Sequence, residues 1–151
     1  MQEEGESKHI EGCRLPTGDG QIIIKRSVIE SVLSYAKACH PREGILLLRG
    51  KTKKDAIEVY KVVIPPLSVR GGSFSSFPAH MLPLDLSIVG TAHTHPSGTL
   101  EPSVEDLNNF YGRIMIIAAF PYISESNIIV IDRRGIALNY KVVGEKRIGD
   151  A

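Results

Sequence analysis

Four polar side chains near the middle of the chain have the types and spacing of a hydrolytic metal site. Two are histidines one residue apart, His93 and His95, and two form a Ser-x-x-Asp pair, Ser103 and Asp106. Two neutral imidazoles and one carboxylate are a ligand set of catalytic zinc, which keeps its fourth position for water. Zinc held in this way lowers the pKa of that water from 15.7 to about 7. The residue types therefore predict hydrolysis at one zinc ion, provided that the fold brings them together.

The residues around this motif indicate how the fold can do so. The run 87–92 is apolar and β-prone, so the histidines are expected at the end of a buried strand. Side chains alternate across a strand, so both imidazoles share one face, and Thr94 points to the other, where it helps to hold the strand register. Pro96 should end the strand, and Ser103 should be the N-cap of a helix with Asp106 in its first turn. Each pattern alone is more often structural, and only their combined order favours a metal site.

The order His-x-His, seven residues, Ser-x-x-Asp resembles the metal signature of the JAMM/MPN+ metalloprotease family. That family also has a glutamate far upstream, where a helix passes into a strand. Residues 40–50 are similar to this segment and put Glu43 in the position of the catalytic base. From the residues alone, Glu43 would be a solvent-facing carboxylate at a junction. The resemblance extends from about Ile22 to Val143 and is to the short archaeal members, which lack long insertions.

The resemblance implies an α/β architecture, the MPN (JAB or cytidine-deaminase-like) fold, in which two helices flank a curved mixed β-sheet. It implies one Zn²⁺ ion bound by His93, His95 and Asp106. It further implies that Glu43 is the general base and that the Ser103 hydroxyl stabilises the oxyanion.

Substrate class also follows from the resemblance. The implied substrates are ubiquitin-like modifier proteins or their conjugates, cut after their C-terminal glycines by a desampylase- or deubiquitinase-like isopeptidase. The loop at 65–82 is the expected place for an extended glycine tail to pair as a strand. Three alternatives stay open: processing of a ubiquitin-like sulfur-carrier precursor, a non-catalytic MPN scaffold, and a zinc-dependent nucleobase deaminase. The deaminase pattern, His-x-Glu followed by Pro-Cys-x-x-Cys, does not occur in the sequence.

Length and composition predict one soluble globular domain. The chain has 151 residues, 42% hydrophobic and 23% charged, which suits a single core. We expect a mobile N-terminal arm at 1–20, the catalytic domain at 21–144 and a C-terminal tail at 145–151. A net charge of +1 gives no reason to expect nucleic acid or an anionic membrane as a partner. The apolar run 114–120 is too short to span a bilayer, and the N-terminus lacks a signal-peptide pattern, so a cytoplasmic protein is expected and a homodimer stays open.

Periodicity predicts seven strands and two helices. The strands are expected at 21–24, 44–49, 57–64, 86–95, 113–120, 127–131 and 136–143, and the helices at 27–38 and 103–111. Ser27 and Glu30 are predicted to form a capping box at the first helix. The last two strands are predicted to be joined by a turn at 133–135. Two cysteines without Cys-x-x-Cys spacing, Cys13 and Cys39, argue against a thiolate zinc site.

Overall fold

The computed structural model describes residues 20–65 and 85–144. The elements of these residues are, in chain order, β1 (Gln21–Lys25), α1 (Arg26–Cys39), β2 (Ile45–Thr52), β3 (Ala56–Val63), β4 (Ile88–His95), α2 (Val104–Asn108), β5 (Ile114–Ala119), a 3₁₀ turn (Glu125–Asn127), β6 (Ile128–Ile131) and β7 (Lys141–Val143). The arm and tail predicted at 1–20 and 145–151 lie outside the described residues except for Gly20, as does nearly all of the loop predicted at 65–82. Neither helix of the described part is long and apolar enough to cross a membrane.

The described strands form one mixed sheet in the order β6-β5-β4-β2-β3-β1-β7. β4 lies inside this sheet, antiparallel to β2 and parallel to β5. Every residue of β4 except the first is buried as a result. The predicted fold class, a mixed sheet flanked by two helices, is confirmed, and the motif histidines lie at the end of an interior strand.

The two faces of the sheet are covered by different helices. α1 buries one stripe of apolar side chains against the sheet: Val28, Ile29, Val32, Leu33 and Ala36. On β5, Ile114 and Ile116 pack with that cluster, whereas Met115 and Ile117 pack with Leu107 of α2 on the opposite face. The same alternation operates on β4. His93 pairs with Ile45, whose side chain lies on the face opposite α1, so both motif histidines point towards α2.

Both predicted helix starts can be compared with the structure. The capping box predicted for Ser27 and Glu30 is wrong, because α1 begins at Arg26 and its N-cap is Lys25, whose side chain makes no capping hydrogen bond. β1 passes into the helix without an intervening loop, and Ser27 therefore lies within the first turn. The N-cap predicted at Ser103 is confirmed.

α2 and the final strand are both shorter than predicted. The second helix ends at Asn108 rather than at about Tyr111. Gly112 then turns the chain into β5 with a φ of +84°, and a Cβ there would lie 2.5 Å from the carbonyl oxygen of Val89, so the turn requires glycine. The predicted strand 136–143 is divided. Ala137 forms a single bridge to Ile131 of β6, and β7 pairs in parallel with β1 at the other end of the strand order.

A buried carboxylate organises the turn after β6. Asp132 is 5% exposed, and its Oδ1 accepts hydrogen bonds from the backbone N–H groups of Arg134 (2.8 Å) and Ile136 (3.0 Å). The Arg134 guanidinium donates to Oδ2 at 3.0 Å. Burial alone would raise the pKa of Asp132, but the bonds from Ile136 and Arg134 outweigh it and lower that pKa.

We expect Asp132→Ala to lower the free energy of unfolding at pH 7 by about 2 kcal/mol, because two backbone N–H groups lose their acceptor. A carboxyl whose pKa is lowered on folding stabilises the protein above its unfolded pKa of about 3.9, and this stability is lost as the pH falls through the folded value. Urea unfolding of both proteins between pH 7 and pH 2 measures this. The difference between them should narrow below about pH 4. A difference that stays constant across this range would contradict the assignment.

Candidate metal centre

The end of β4 and the start of α2 bring three of the predicted site residues into contact. Nδ1 of His93 lies 3.2 Å from Oδ1 of Asp106, and Nε2 of His95 lies 3.0 Å from Oδ2 of the same carboxylate. The three residues are buried, with exposures of 3% for His93, 8% for His95 and 3% for Asp106. One carboxylate thus joins two imidazoles in a site from which most solvent is excluded.

The N-terminal cap of α2 orients that carboxylate. The Asp106 backbone N–H donates to Oγ of Ser103 at 2.9 Å, and the Ser103 backbone N–H donates to Oδ2 of Asp106 at 2.9 Å. These reciprocal bonds form a capping box, which fixes both the start of the helix and the χ angles of Asp106. α2 has five residues, so its own backbone hydrogen bonds add little stability. The capping box is therefore the main local interaction that holds Asp106 against β4.

Each histidine has a second partner on its other ring nitrogen. Nδ1 of His95 lies 3.0 Å from the carbonyl oxygen of Thr99, and Nε2 of His93 lies 3.2 Å from Oγ1 of Thr91. A carbonyl can only accept, so Nδ1 of His95 carries the hydrogen and donates it. In the neutral ring Nε2 of His95 then presents its lone pair to the Asp106 carboxylate, so this contact is a hydrogen bond only when the ring is protonated, and a metal cation would take the place of that proton.

The electrostatics of the site agree with this geometry. Burial opposes the charged form of Asp106, but hydrogen bonds from His93, His95 and the Ser103 backbone outweigh burial and hold the pKa of Asp106 far below its ordinary value. Burial likewise would lower the pKa of His95. The hydrogen bonds to Asp106 and to the Thr99 carbonyl, together with the negative charges of Asp106 and Glu43, raise the pKa of His95 instead. The site as a whole thus attracts positive charge.

The types of the donor atoms fit zinc, although the two imidazoles contact the carboxylate directly. Within residues 20–65 and 85–144, no three His, Cys, Asp or Glu side chains stand arranged to hold a metal ion. The contacts of 3.0 and 3.2 Å between the imidazoles and the carboxylate are shorter than the separation of about 3.4 Å between tetrahedral donors that lie about 2.1 Å from zinc. If Nε2–H of His93 donates to Thr91, the Nδ1 lone pair of His93 is available to a metal. The Thr99 carbonyl likewise fixes the hydrogen of His95 on Nδ1 and leaves Nε2 for the metal.

A cleft of about 430 Å³ opens over this cluster. Its lining residues are Glu43, His95, Ser97, Thr99, Glu101, Pro102, Ser103, Glu105 and Asp106. Glu43 is half-buried, and its negative charge contributes to the raised pKa of His95. His93 contacts Asp106 without being part of the lining. All five residues predicted for the site are therefore gathered at one place, four of them on the walls of the cleft.

Two contributions to the site were not predicted from the sequence. Thr91 and Thr99 contact the ring nitrogens of the histidines that do not face Asp106. No spacing pattern in the sequence indicates either residue. Glu101 and Glu105, which are not part of the motif, are exposed and line the same cleft.

Comparison with known proteins assigns the chain to a family. Residues 25–132 match the family described as prokaryotic homologs of the JAB domain. The chain belongs to the JAB domain family. The JAMM/MPN resemblance found in the motif is thereby confirmed, and this JAB domain is of the metalloprotease-like type. A relative from Haloferax volcanii, described as a probable metalloprotease, is 33% identical over 106 residues, which are 66% of this chain and 66% of the relative.

Solved structures share the fold of this JAB domain. A JAB1/MPN domain protein from Archaeoglobus fulgidus is 30% identical with a TM-score of 0.60, and the match covers 82% of this chain and 99% of that one. A structure described as JAMM, a metalloprotease-like zinc site in the proteasome and signalosome, is 28% identical with a TM-score of 0.59 over the same shares. A Desulfitobacterium hafniense protein at 19% identity, with a TM-score of 0.56 over 85% of this chain and 96% of its own, shows the fold alone.

Proposed function

We propose that this JAB domain is a cytoplasmic, zinc-dependent isopeptidase that cleaves peptide or isopeptide bonds after the C-terminal glycines of ubiquitin-like modifier proteins. The observation that most supports the proposal is the contact of one buried carboxylate, Asp106, with both His93 and His95 beneath a cleft that also contains Glu43 and Ser103. In this proposal His93, His95 and Asp106 hold one zinc ion. When bound, zinc supplies Lewis acidity towards the scissile carbonyl and lowers the pKa of a water to about 7.

Glu43 has the properties that a general base requires. Its carboxylate lies on the wall of the cleft and stays partly open to solvent. It takes a proton from the attacking water as the oxygen of that water bonds to the carbonyl carbon. When the C–N bond breaks, Glu43 gives this proton to the leaving amine, so that one water is consumed and the carboxylate returns to its starting state.

Ser103 can act in the site without giving up its structural role. Its Oγ accepts the hydrogen bond from the Asp106 backbone with one lone pair. A hydroxyl has one donor and two acceptor positions, so the O–H of Ser103 is left to donate to the oxyanion that develops on the carbonyl oxygen.

We expect Ser103→Ala to lower kcat by about 10²-fold, as the loss of one oxyanion donor does elsewhere. Loss of the cap should also lower the free energy of unfolding by about 1 kcal/mol. Ser124→Ala is a matched control, since Ser124 caps the 3₁₀ turn at Glu125–Asn127 in the same way and does not line the cleft. Steady-state kinetics on both variants separate the two effects. Equal kcat in Ser103→Ala and wild type would remove Ser103 from the mechanism.

The proposed activity is tested with two substrates made from one ubiquitin-like protein ending in Gly-Gly. One is a linear fusion with a peptide after the second glycine, and the other is a conjugate to the ε-amine of a lysine. The zinc-loaded protein should cut both after the second glycine, as read by intact mass. Cleavage of the fusion alone would favour processing of a sulfur-carrier precursor. No cleavage of either, with or without zinc, would leave a non-catalytic scaffold as the function.

A further inference from the structure

Gly44, the residue directly after Glu43, is tied to Thr94 by two hydrogen bonds. The Gly44 backbone N–H donates to Oγ1 of Thr94 at 2.7 Å, and the Thr94 backbone N–H donates to the Gly44 carbonyl at 3.1 Å. Thr94 is 1% exposed and lies between the two motif histidines. Since side chains alternate along β4, its hydroxyl is on the face opposite the imidazoles.

This contact marks the place where the chain leaves the sheet. β2 and β4 are antiparallel, and in such a ladder every second pair of facing residues exchanges two backbone hydrogen bonds. At Gly44 and Thr94, one of the two bonds is made by a side-chain hydroxyl instead. The sheet ladder therefore ends at Gly44, and the preceding residue, Glu43, is directed to the cleft instead of continuing along β4.

The other side of Gly44 is closed by α1. A Cβ on Gly44 would lie 2.7 Å from Cε2 of Tyr35 and 3.0 Å from Sγ of Cys39. The backbone at Gly44 is thus packed between the end of α1 and the hydroxyl of Thr94, with no room for a shift towards the helix. From the β4 side Gly44 is held by the Thr94 hydroxyl, which accepts from its N–H, and by the Thr94 backbone N–H, which donates to its carbonyl.

We propose that Thr94 is the positioning residue for Glu43, and that its hydroxyl sets the direction in which the Glu43 carboxylate enters the cleft. This inference deepens the proposed function, because it rests on Glu43 as the base. A catalytic group displaced by about 1 Å can lose roughly 10²-fold in rate, so one buried hydroxyl that never touches substrate can still control turnover.

Thr94→Val tests the proposal, because valine keeps the shape and the β-branch and removes the acceptor. We expect kcat on the linear Gly-Gly fusion to fall by about 10²-fold, with KM within twofold and zinc content unchanged. Thr94→Ser retains the hydroxyl and should restore kcat to within a few-fold of wild type. Ile57→Val is the control for general destabilisation, since Ile57 is a fully buried residue of β3 outside the cleft. Its kcat should equal that of wild type.

A second readout makes no use of turnover. In Thr94→Val the Gly44 amide proton should exchange with solvent at least tenfold faster, and the NMR signals of Glu43 should shift or broaden, while Thr94→Ser resembles wild type. Wild-type kcat in Thr94→Val, or unchanged Gly44 exchange and Glu43 signals, would overturn the positioning role. If the wild-type protein cleaves neither Gly-Gly substrate, the proposed function fails, and the Gly44 and Glu43 signals still decide whether Thr94 positions Glu43.

Discussion

Glu43→Gln is expected to lower kcat by about 10³-fold while the protein keeps one zinc ion per chain. Glutamine has nearly the same shape as glutamate and cannot take a proton, and general-base catalysis contributes about 10²–10⁴-fold. Zinc content should be retained because Glu43 is not in contact with the Asp106 carboxylate or either imidazole through any hydrogen bond or ion pair found in the described residues. Kinetics on the Gly-Gly fusion and metal analysis of the same preparation measure both quantities.

Glu101→Gln is the matched control for this change. Glu101 lines the same cleft and is exposed, so the substitution removes an equal charge from the same space without removing the proposed base. We expect its kcat to stay within a few-fold of wild type. If both variants lose activity to the same extent, the loss comes from the change of net charge in the cleft and not from the loss of a general base. Full activity in Glu43→Gln would exclude Glu43 as the base.

Asp106→Asn is expected to abolish both zinc binding and cleavage. The amide keeps an oxygen that can accept from the Ser103 backbone, so the cap of α2 has a replacement acceptor. What is lost is the negative charge that faces both imidazoles, and with it the charged donor of the metal. His93→Ala should give the same loss through a different donor, whereas Glu43→Gln should not. Metal analysis after dialysis against buffer without chelator distinguishes these outcomes.

Thermal unfolding gives an independent measure of the same loss. A ligand that binds only the folded state stabilises it by about 4 kcal/mol at a free concentration 1,000 times its Kd. For a chain of this size, that corresponds to a rise in Tm of roughly 10 °C when zinc is added to wild type. Asp106→Asn should show no such rise. A zinc-dependent rise in Asp106→Asn equal to that of wild type would mean that the metal binds elsewhere.

The positions of His93, His95 and Asp106 could be predicted because they depend on residues that are close together in the sequence. Period-two alternation places His93 and His95 on one face of a strand, and the Ser-x-x-Asp spacing predicts the cap that orients Asp106. Glu43 could not be assigned in this way, since the residues around it are typical of an exposed junction. Its position in the cleft depends on the pairing of β2 with β4, which joins residues about 50 positions apart in sequence.

The same distinction explains the errors in the fold. The division of the predicted strand 136–143 follows from the parallel pairing of β7 with β1, a contact between the two ends of the described chain that no local pattern indicates. Ser27 was predicted as a cap from its spacing to Glu30, but β1 leads directly into α1 and moves the helix start upstream. Thr94 was predicted only to hold the register. Its hydroxyl bond to Gly44 becomes visible when the two strands are seen side by side.

The division of the site between one contiguous segment and one distant residue bears on how the proposed active site is assembled. The donors from His93 to Asp106 belong to a single strand–loop–helix unit, and closing so short a loop costs little chain entropy. Glu43 is brought to them by the pairing of β2 with β4, which joins residues much farther apart in the sequence. Closing this second, longer loop costs more chain entropy than closing the first, because the cost rises with loop length. Under the proposed function, a chain whose β2 is displaced from β4 therefore lacks its general base, while its proposed metal donors remain contiguous in one segment.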